Sequence, residues 1–146
     1  MFGKLELSKN QPKLAKNNPE KVVSFFEKNL TANNDGIASE EFRCPFGIRA
    51  AIKRKQIVIC VVNNEIVAAM RFYPRKTSPN VASLYQFAID KKYRDKGLLQ
   101  KMLLFTGCKA FESLCPIKSD FNNYYKKTGW VLKSQDQENN CWSLSL

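Results

Sequence analysis

Hydrophobic and polar residues follow two different periods along this chain, and the places where the period changes mark its elements. Residues 4 to 8, Lys-Leu-Glu-Leu-Ser, alternate and suit a short first strand. From Pro19 the apolar positions Val22, Val23, Phe25, Phe26 and Leu30 recur at helical spacing. Asn18 as cap, Pro19 at the first helical position and Glu20 in the first turn predict where that helix begins. Asn33-Asn34-Asp35-Gly36 ends it, and Ser39 before Glu40 and Glu41 suits the cap of a shorter second helix. Pro45 to Lys55 reads as a further helical turn or loop, and Phe25, Phe26 and Phe46 are expected in the core.

The pattern then changes to short apolar runs bounded by turn residues. Gln56 to Val62 and Glu65 to Tyr73 read as antiparallel strands joined at Asn63-Asn64, and residues 82 to 89 add a third. A helix follows from Gly97 to about Phe111, with Leu98, Leu99, Met102, Leu103 and Phe105 as its apolar stripe. Residues 113 to 118 suit a short strand, where Pro116 predicts an edge position or interrupted pairing. Asp120 opens a short helix through Lys127 that stops at Gly129. Residues 130 to 134 and 141 to 146 suit a final hairpin. The fold class is α/β in the mixed α+β sense. With no internal repeat or linker, residues 1–146 are expected to form a single domain.

Composition narrows the chemistry. The chain has no histidine, which removes Ser-His-Asp and Cys-His nucleophilic sites, His-ligated zinc and an imidazole acid or base. Its five cysteines show no Cys-x-x-Cys spacing, so no disulfide framework is expected, and Cys60 and Cys141 lie among strand residues. No apolar run is long enough to span a bilayer, and the first residues lack a signal core. No membrane association and a cytoplasmic location are the expectations. Twenty-four Lys and Arg against thirteen Asp and Glu leave a charge of +11, which favours an anionic partner or simply solubility.

Strand and helix meet at Asp90-Lys91-Lys92-Tyr93-Arg94-Asp95-Lys96-Gly97. A helix N-terminus offers free N–H groups to an anion, Gly97 lets a ligand approach the backbone, and Arg94 and Lys96 add positive charge. The residues alone leave an ordinary solvated turn as the alternative.

The stretch from Phe87 to Leu99, FAIDKKYRDKGLL, resembles the acyl-CoA motif of the GCN5-related N-acetyltransferases (GNAT superfamily). Tyr124-Tyr125-Lys126-Lys127-Thr128-Gly129-Trp130 is similar to that family's second motif of tyrosine, charged residues, glycine and aromatic. The element order is similar over nearly the whole chain. The resemblance implies a central, mostly antiparallel twisted sheet of six to seven strands flanked by about four helices. It also implies transfer of an acetyl group from acetyl-CoA to a primary amine by direct attack on the thioester, without a metal. The acceptor is a small molecule, a peptide or aminoacyl-tRNA. The alternative is a non-catalytic CoA-binding or basic nucleic-acid-binding module.

The resemblance carries roles onto particular positions. Asp95, Lys96, Gly97, Leu98 and Leu99 would cradle the pyrophosphate with Arg94 nearby, and pantetheine would run along Phe87, Ala88 and Ile89. The Phe87 N–H would polarise the thioester carbonyl, and Tyr125 would donate a proton to the departing thiolate. Leu99 stands where the family usually has Gly or Ala, a departure that a core-pointing side chain would accommodate. Lys118 replaces the usual asparagine seven residues before the tyrosine, with Asn122 as a weak substitute. The strand from Val81 to Ile89 holds no acid to act as general base, although Glu40, Glu41 or Asp120 could act through water. Tyr85 or Gln86 could orient that water. Partners implied are an amine acceptor, tRNA or other nucleic acid, and a second copy of the chain, as relatives are often dimers.

Overall fold

The computed structural model describes residues 11–30, 44–78 and 80–146. The strand expected at residues 4 to 8 and the helix expected after Ser39 lie outside the described residues. The first described strand is β1 (Pro12–Leu14), whose three residues are too short to show a period. Helix α1 (Pro19–Asn29) starts at its proline, but Asn18 sits in the left-handed region at φ 54° and makes no side-chain cap bond. Helix α2 (Pro45–Lys53) likewise begins on a proline.

Strands β2 (Ile57–Val62), β3 (Glu65–Pro74) and β4 (Val81–Ile89) form the expected meander. Asn63 and Asn64 both take positive φ, the geometry a tight right-twisted hairpin needs. A 3₁₀ turn at Lys91–Tyr93 leads to α3 (Leu98–Phe105). This helix covers its apolar stripe but ends before the expected Phe111. Thr106 caps it, Gly107 takes φ 78°, and β5 (Ala110–Pro116) starts there, so Phe111 is a strand residue. Phe111 is fully buried, which stabilises the fold by about 2–3 kcal/mol relative to exposure. Helix α4 (Phe121–Lys127) is followed by Gly129 at φ 92° and the hairpin β6 (Val131–Gln135) and β7 (Asn139–Ser145).

The seven strands form one sheet in the order β1-β2-β3-β4-β5-β7-β6. Every neighbouring pair is antiparallel except β4 and β5. Alternation in β3 divides the core between two faces. Ala69 packs with Val22, Phe26 and Ile48 of α1 and α2, whereas Ala68 and Met70 pack with Leu98, Met102 and Tyr125 of α3 and α4. Phe25 and Phe26 are buried as expected, but Phe46 is 79% exposed. It projects from the first turn of α2, whose inward face is Ile48, Ala51 and Ile52. Strand β5 lies between β4 and β7, but β4 pairs with it only as far as Glu112, so the expected interruption of pairing is found on the side of Pro116 that faces β4, and Pro116 ends the ladder opposite Asn139. Among the described residues no helix is long and apolar enough to cross a membrane.

Candidate active site

Strands β4 and β5 run together for three residues only, from Val81↔Ala110 to Ser83↔Glu112. Beyond that point they separate, although β4 continues six residues to Ile89 while still paired with β3. The backbone direction along this opened edge follows from alternation. The Asp90 N–H donates to the Val67 carbonyl of β3, so Ile89 and Phe87 turn their own N–H and C=O groups the other way. The Ile89 carbonyl indeed accepts from Arg94 Nε at 3.2 Å. Near the fork β4 carries a bulge, because Arg71 pairs with Gln86 and Phe72 with Leu84. Tyr85 is the extra residue.

Two cavities meet at the fork, and Phe87 and Phe121 line both. The first, about 480 Å³, runs from the β4 edge to the start of α3 and is lined by Phe87, Ala88, Ile89, Arg94, Asp95, Gly97, Leu98 and Leu99. The second, about 500 Å³, lies between β4 and β5 and is lined by Tyr85, Gln86, Glu112, Ser113, Tyr125 and Cys141. The two cavities thus adjoin at Phe87 and Phe121, one toward the α3 N-terminus and the other between β4 and β5.

The turn before α3 is built to bend backbone toward the first cavity. Asp90 Oδ1 accepts from the Lys92 N–H at 2.9 Å, and Asp95 and Gly97 both take positive φ, 62° and 72°. A Cβ placed on Gly97 would meet nothing within 4 Å, so glycine is needed there for conformation. Leu99 is 5% exposed and packs into the α3 side of the core, which leaves the helix start clear despite its size.

Aromatic rings close the fork from α4. Phe87 meets Phe121 at 5.9 Å and Tyr124 at 5.6 Å. The adjacent tyrosines diverge. Tyr124 lines the first cavity, where burial, and secondly Asp95, raises its phenol above the ordinary range. Tyr125 is 5% exposed, stacked on Trp142 at 5.9 Å and edge-on to Trp130 at 5.1 Å. Its hydroxyl lies 2.8 Å from Ser113 Oγ, and burial raises its pKa far above the usual value although the Ser113 bond opposes this.

The structure therefore gathers most of the expected residues along one opening, with three placed otherwise. Tyr125 faces the second cavity. Lys96 holds its ammonium 5.5 Å from the Tyr93 ring centroid. Asn122 is committed to the fold. Its Nδ2 bonds the carbonyls of Pro116, Ile117 and Ser119, and its Oδ1 accepts from Asn140 Nδ2 and Trp142 Nε1, both at 2.9 Å. With its hydrogen-bonding capacity used internally, Asn122 ties the β5–α4 loop to β7 and lines neither cavity.

Sequence reasoning missed Glu112, Ser113, Phe121 and Tyr124. The alternation of β5, which begins three residues before the expected strand, would have paired Ser113 with the buried side and Glu112 with the opposite one. Glu112 is bonded by both Arg75 and Lys133, and those hydrogen bonds, Lys133 first, hold its carboxyl below the ordinary value despite partial burial. Arg71, 9% exposed, packs its guanidinium against the rings of Tyr73 and Tyr85, which meet each other edge-on, and donates to Gln86 Oε1 at 3.3 Å.

Comparison with known proteins gives this arrangement its family. The sequence profile described as Acetyltransferase (GNAT) family matches residues 23–106. The fold is similar to PaiA N-acetyltransferase from Thermoplasma acidophilum, solved in complex with coenzyme A, at TM-score 0.73 and 13% identity over 93% of this chain and 98% of that one. It is similar to a GNAT-family acetyltransferase from Listeria monocytogenes 4b F2365 at TM-score 0.70 and 10% identity, covering 94% and 95% of the two chains. Ard1 from Thermoplasma volcanium gives 0.63 and 13%, covering 92% and 97%. No curated protein sequence matches. The profile match spans more than half the chain, from α1 through α3 and the β4 edge, and with the matching sheet it makes the chain a member of the GNAT family, an acetyl-CoA-dependent acetyltransferase.

Proposed function

We propose that this chain, acting as one domain, moves the acetyl group of acetyl-CoA to a primary amine that enters through the second cavity. Bound acetyl-CoA supplies an activated acyl group on a thiol leaving group. The observation that carries the reading is the fork itself, an opened β4 edge that joins the α3 N-terminus to a second cavity at Phe87. The residues fit the donor at both ends. Positive φ at Asp95 and Gly97 and the unpaired first turn of α3 suit a pyrophosphate, with Arg94 alongside. The edge at Phe87 to Ile89 suits an extended, amide-bearing arm that bonds as an added strand does.

The Phe87 N–H, turned to the opening by alternation, stabilises negative charge as it develops on the acyl oxygen. Tyr125 returns a proton to the leaving thiolate. Its high pKa keeps it protonated at neutral pH, as a donor must be. Tyr85 and Gln86, brought side by side by the bulge, line the approach of the amine.

Thermal unfolding with and without acetyl-CoA, at low and moderate salt, tests the donor site. Ligand at about 100 times its Kd stabilises the native state by about 2.7 kcal/mol, a rise of several degrees for a domain of this size. A rise that survives salt is expected. A rise abolished by modest salt would mean that net charge alone attracts the anion.

A further inference from the structure

The charges around the second cavity decide what kind of amine it can use. Glu112 is the only carboxylate lining it among the described residues, and Arg75 from the β3–β4 loop and Lys133 from β6 both grip that carboxylate. A third cation, Arg71, lies directly behind the lining residues Tyr85 and Gln86, with its Cζ 4.6 Å from the Tyr85 ring centroid. Arg71 is buried under α2, where a Cβ on Gly47 would come within 3.3 Å of its Nη1, and its Nε has no hydrogen-bond partner among the described residues. The remaining titratable groups facing the cavity are Tyr85, Cys115, Tyr125 and Cys141, and Cys141 Sγ lies 4.0 Å from Glu112 Oε2.

Three cations against one doubly bonded carboxylate oppose entry of an ammonium and favour a neutral amine. Glu112 is also a poor proton acceptor, because protonating it would break two charge-assisted bonds.

Resting on the acetyltransferase reading above, we propose that the acceptor is the α-amino group of a peptide N-terminus, an amine of which about a tenth is already neutral in solution at pH 7, and that no side chain of the cavity serves as general base. The adjacent carbonyl gives such an amine a pKa of about 7.7–8.0, against about 10.4 for a lysine side chain. At pH 7 the free fractions differ by about 300-fold, and by about tenfold at pH 9.5. The step balances without a cavity base. The neutral amine forms the C–N bond, the C–S bond breaks, Tyr125 gives its proton to the thiolate, and the cationic nitrogen loses its proton to water, which re-protonates Tyr125.

The test uses two peptide probes with acetyl-CoA. One has a free N-terminus and no lysine; the other has a blocked N-terminus and a single lysine. kcat/KM measured from pH 6 to 9.5 is expected to favour the first by at least 100-fold at pH 7, with the preference shrinking as pH rises. The midpoint of the acid limb should follow the amine pKa of whichever N-terminal residue the first probe carries, and should keep its position in Glu112→Gln. Because the comparison of probes is made on the unaltered protein, it stands even if that variant folds poorly. Equal use of the two probes at pH 7, or an acid limb fixed at one pH for every probe, would overturn the inference while leaving the acetyltransferase reading intact. Stabilisation by acetyl-CoA with transfer to neither probe would overturn peptide amines as the acceptor, and this inference with them.

Discussion

The Tyr125 hydroxyl lies 2.8 Å from Ser113 Oγ, and Ser113 Oγ in turn donates to the Leu84 carbonyl at 3.4 Å. A carbonyl can only accept, so the chain of bonds runs from tyrosine to serine to β4. If Tyr125 gives up its proton as proposed, the Ser113 hydroxyl can turn and donate to the phenolate. The serine then offsets part of the burial that makes Tyr125 a reluctant acid. Tyr125→Phe is expected to lower kcat by 10²-fold or more, on the order of a lost general acid, with the Kd for acetyl-CoA nearly unchanged. Ser113→Ala should lower kcat by about tenfold, on the order of one hydrogen bond, and should have no further effect in the Tyr125→Phe background. Additive losses in steady-state kinetics would show that Ser113 acts independently of the tyrosine.

Gly97 and Gly107 make a matched pair at the two ends of α3. Their φ values are 72° and 78°, and a Cβ on either would meet nothing within 4 Å. Alanine at each should therefore cost about the same backbone strain, roughly 1–2 kcal/mol. Only Gly97→Ala should weaken acetyl-CoA, by about tenfold in Kd by calorimetry, because it alone lies where the pyrophosphate would approach. Equal affinity in the two variants would remove Gly97 from the donor site.

Asn122→Ala should act on stability. It leaves the Trp142 indole N–H and the Asn140 amide without their shared acceptor. The expected loss is about 2–3 kcal/mol, or a fall of roughly 5–10 °C in Tm. Donor affinity measured below that Tm should not change. A large loss of affinity with an unchanged Tm would return Asn122 to the cofactor site.

The Glu112 pairing makes part of the stability pH-dependent. Its folded pKa lies below the ordinary 4.5, so the contribution is fully present above that value and is lost as pH falls through the folded pKa. Glu112→Gln should cost on the order of 1 kcal/mol near pH 7, since both cationic partners are 40% exposed or more. Urea unfolding should show that difference narrowing below pH 4.5. A difference that stays constant down to pH 2 would show that packing, and not charge, is what glutamine disturbs.

The sequence by itself determined the meander, the helix starts at Pro19 and Asp120, and the turn that leads into α3, because each rests on local chemistry. The apolar runs Ile57 to Val62 and Ile66 to Met70, the left-handed tolerance of Asn63-Asn64 and the glycine at 97 act within a few residues of themselves. Local pattern also misled. The apolar run from Leu98 to Phe111 reads as one helix, yet Gly107 ends it so that Phe111 can enter β5. Only the tertiary structure decided which tyrosine faces which cavity, that Asn122 is a structural tie, and that Glu112 is held between two cations. Those outcomes depend on β4 and β5 parting after Ser83↔Glu112, and on residues 29 to 37 positions apart meeting across the fork. A strand fork has no local sequence signature, because its geometry is set by what packs on both faces of the sheet.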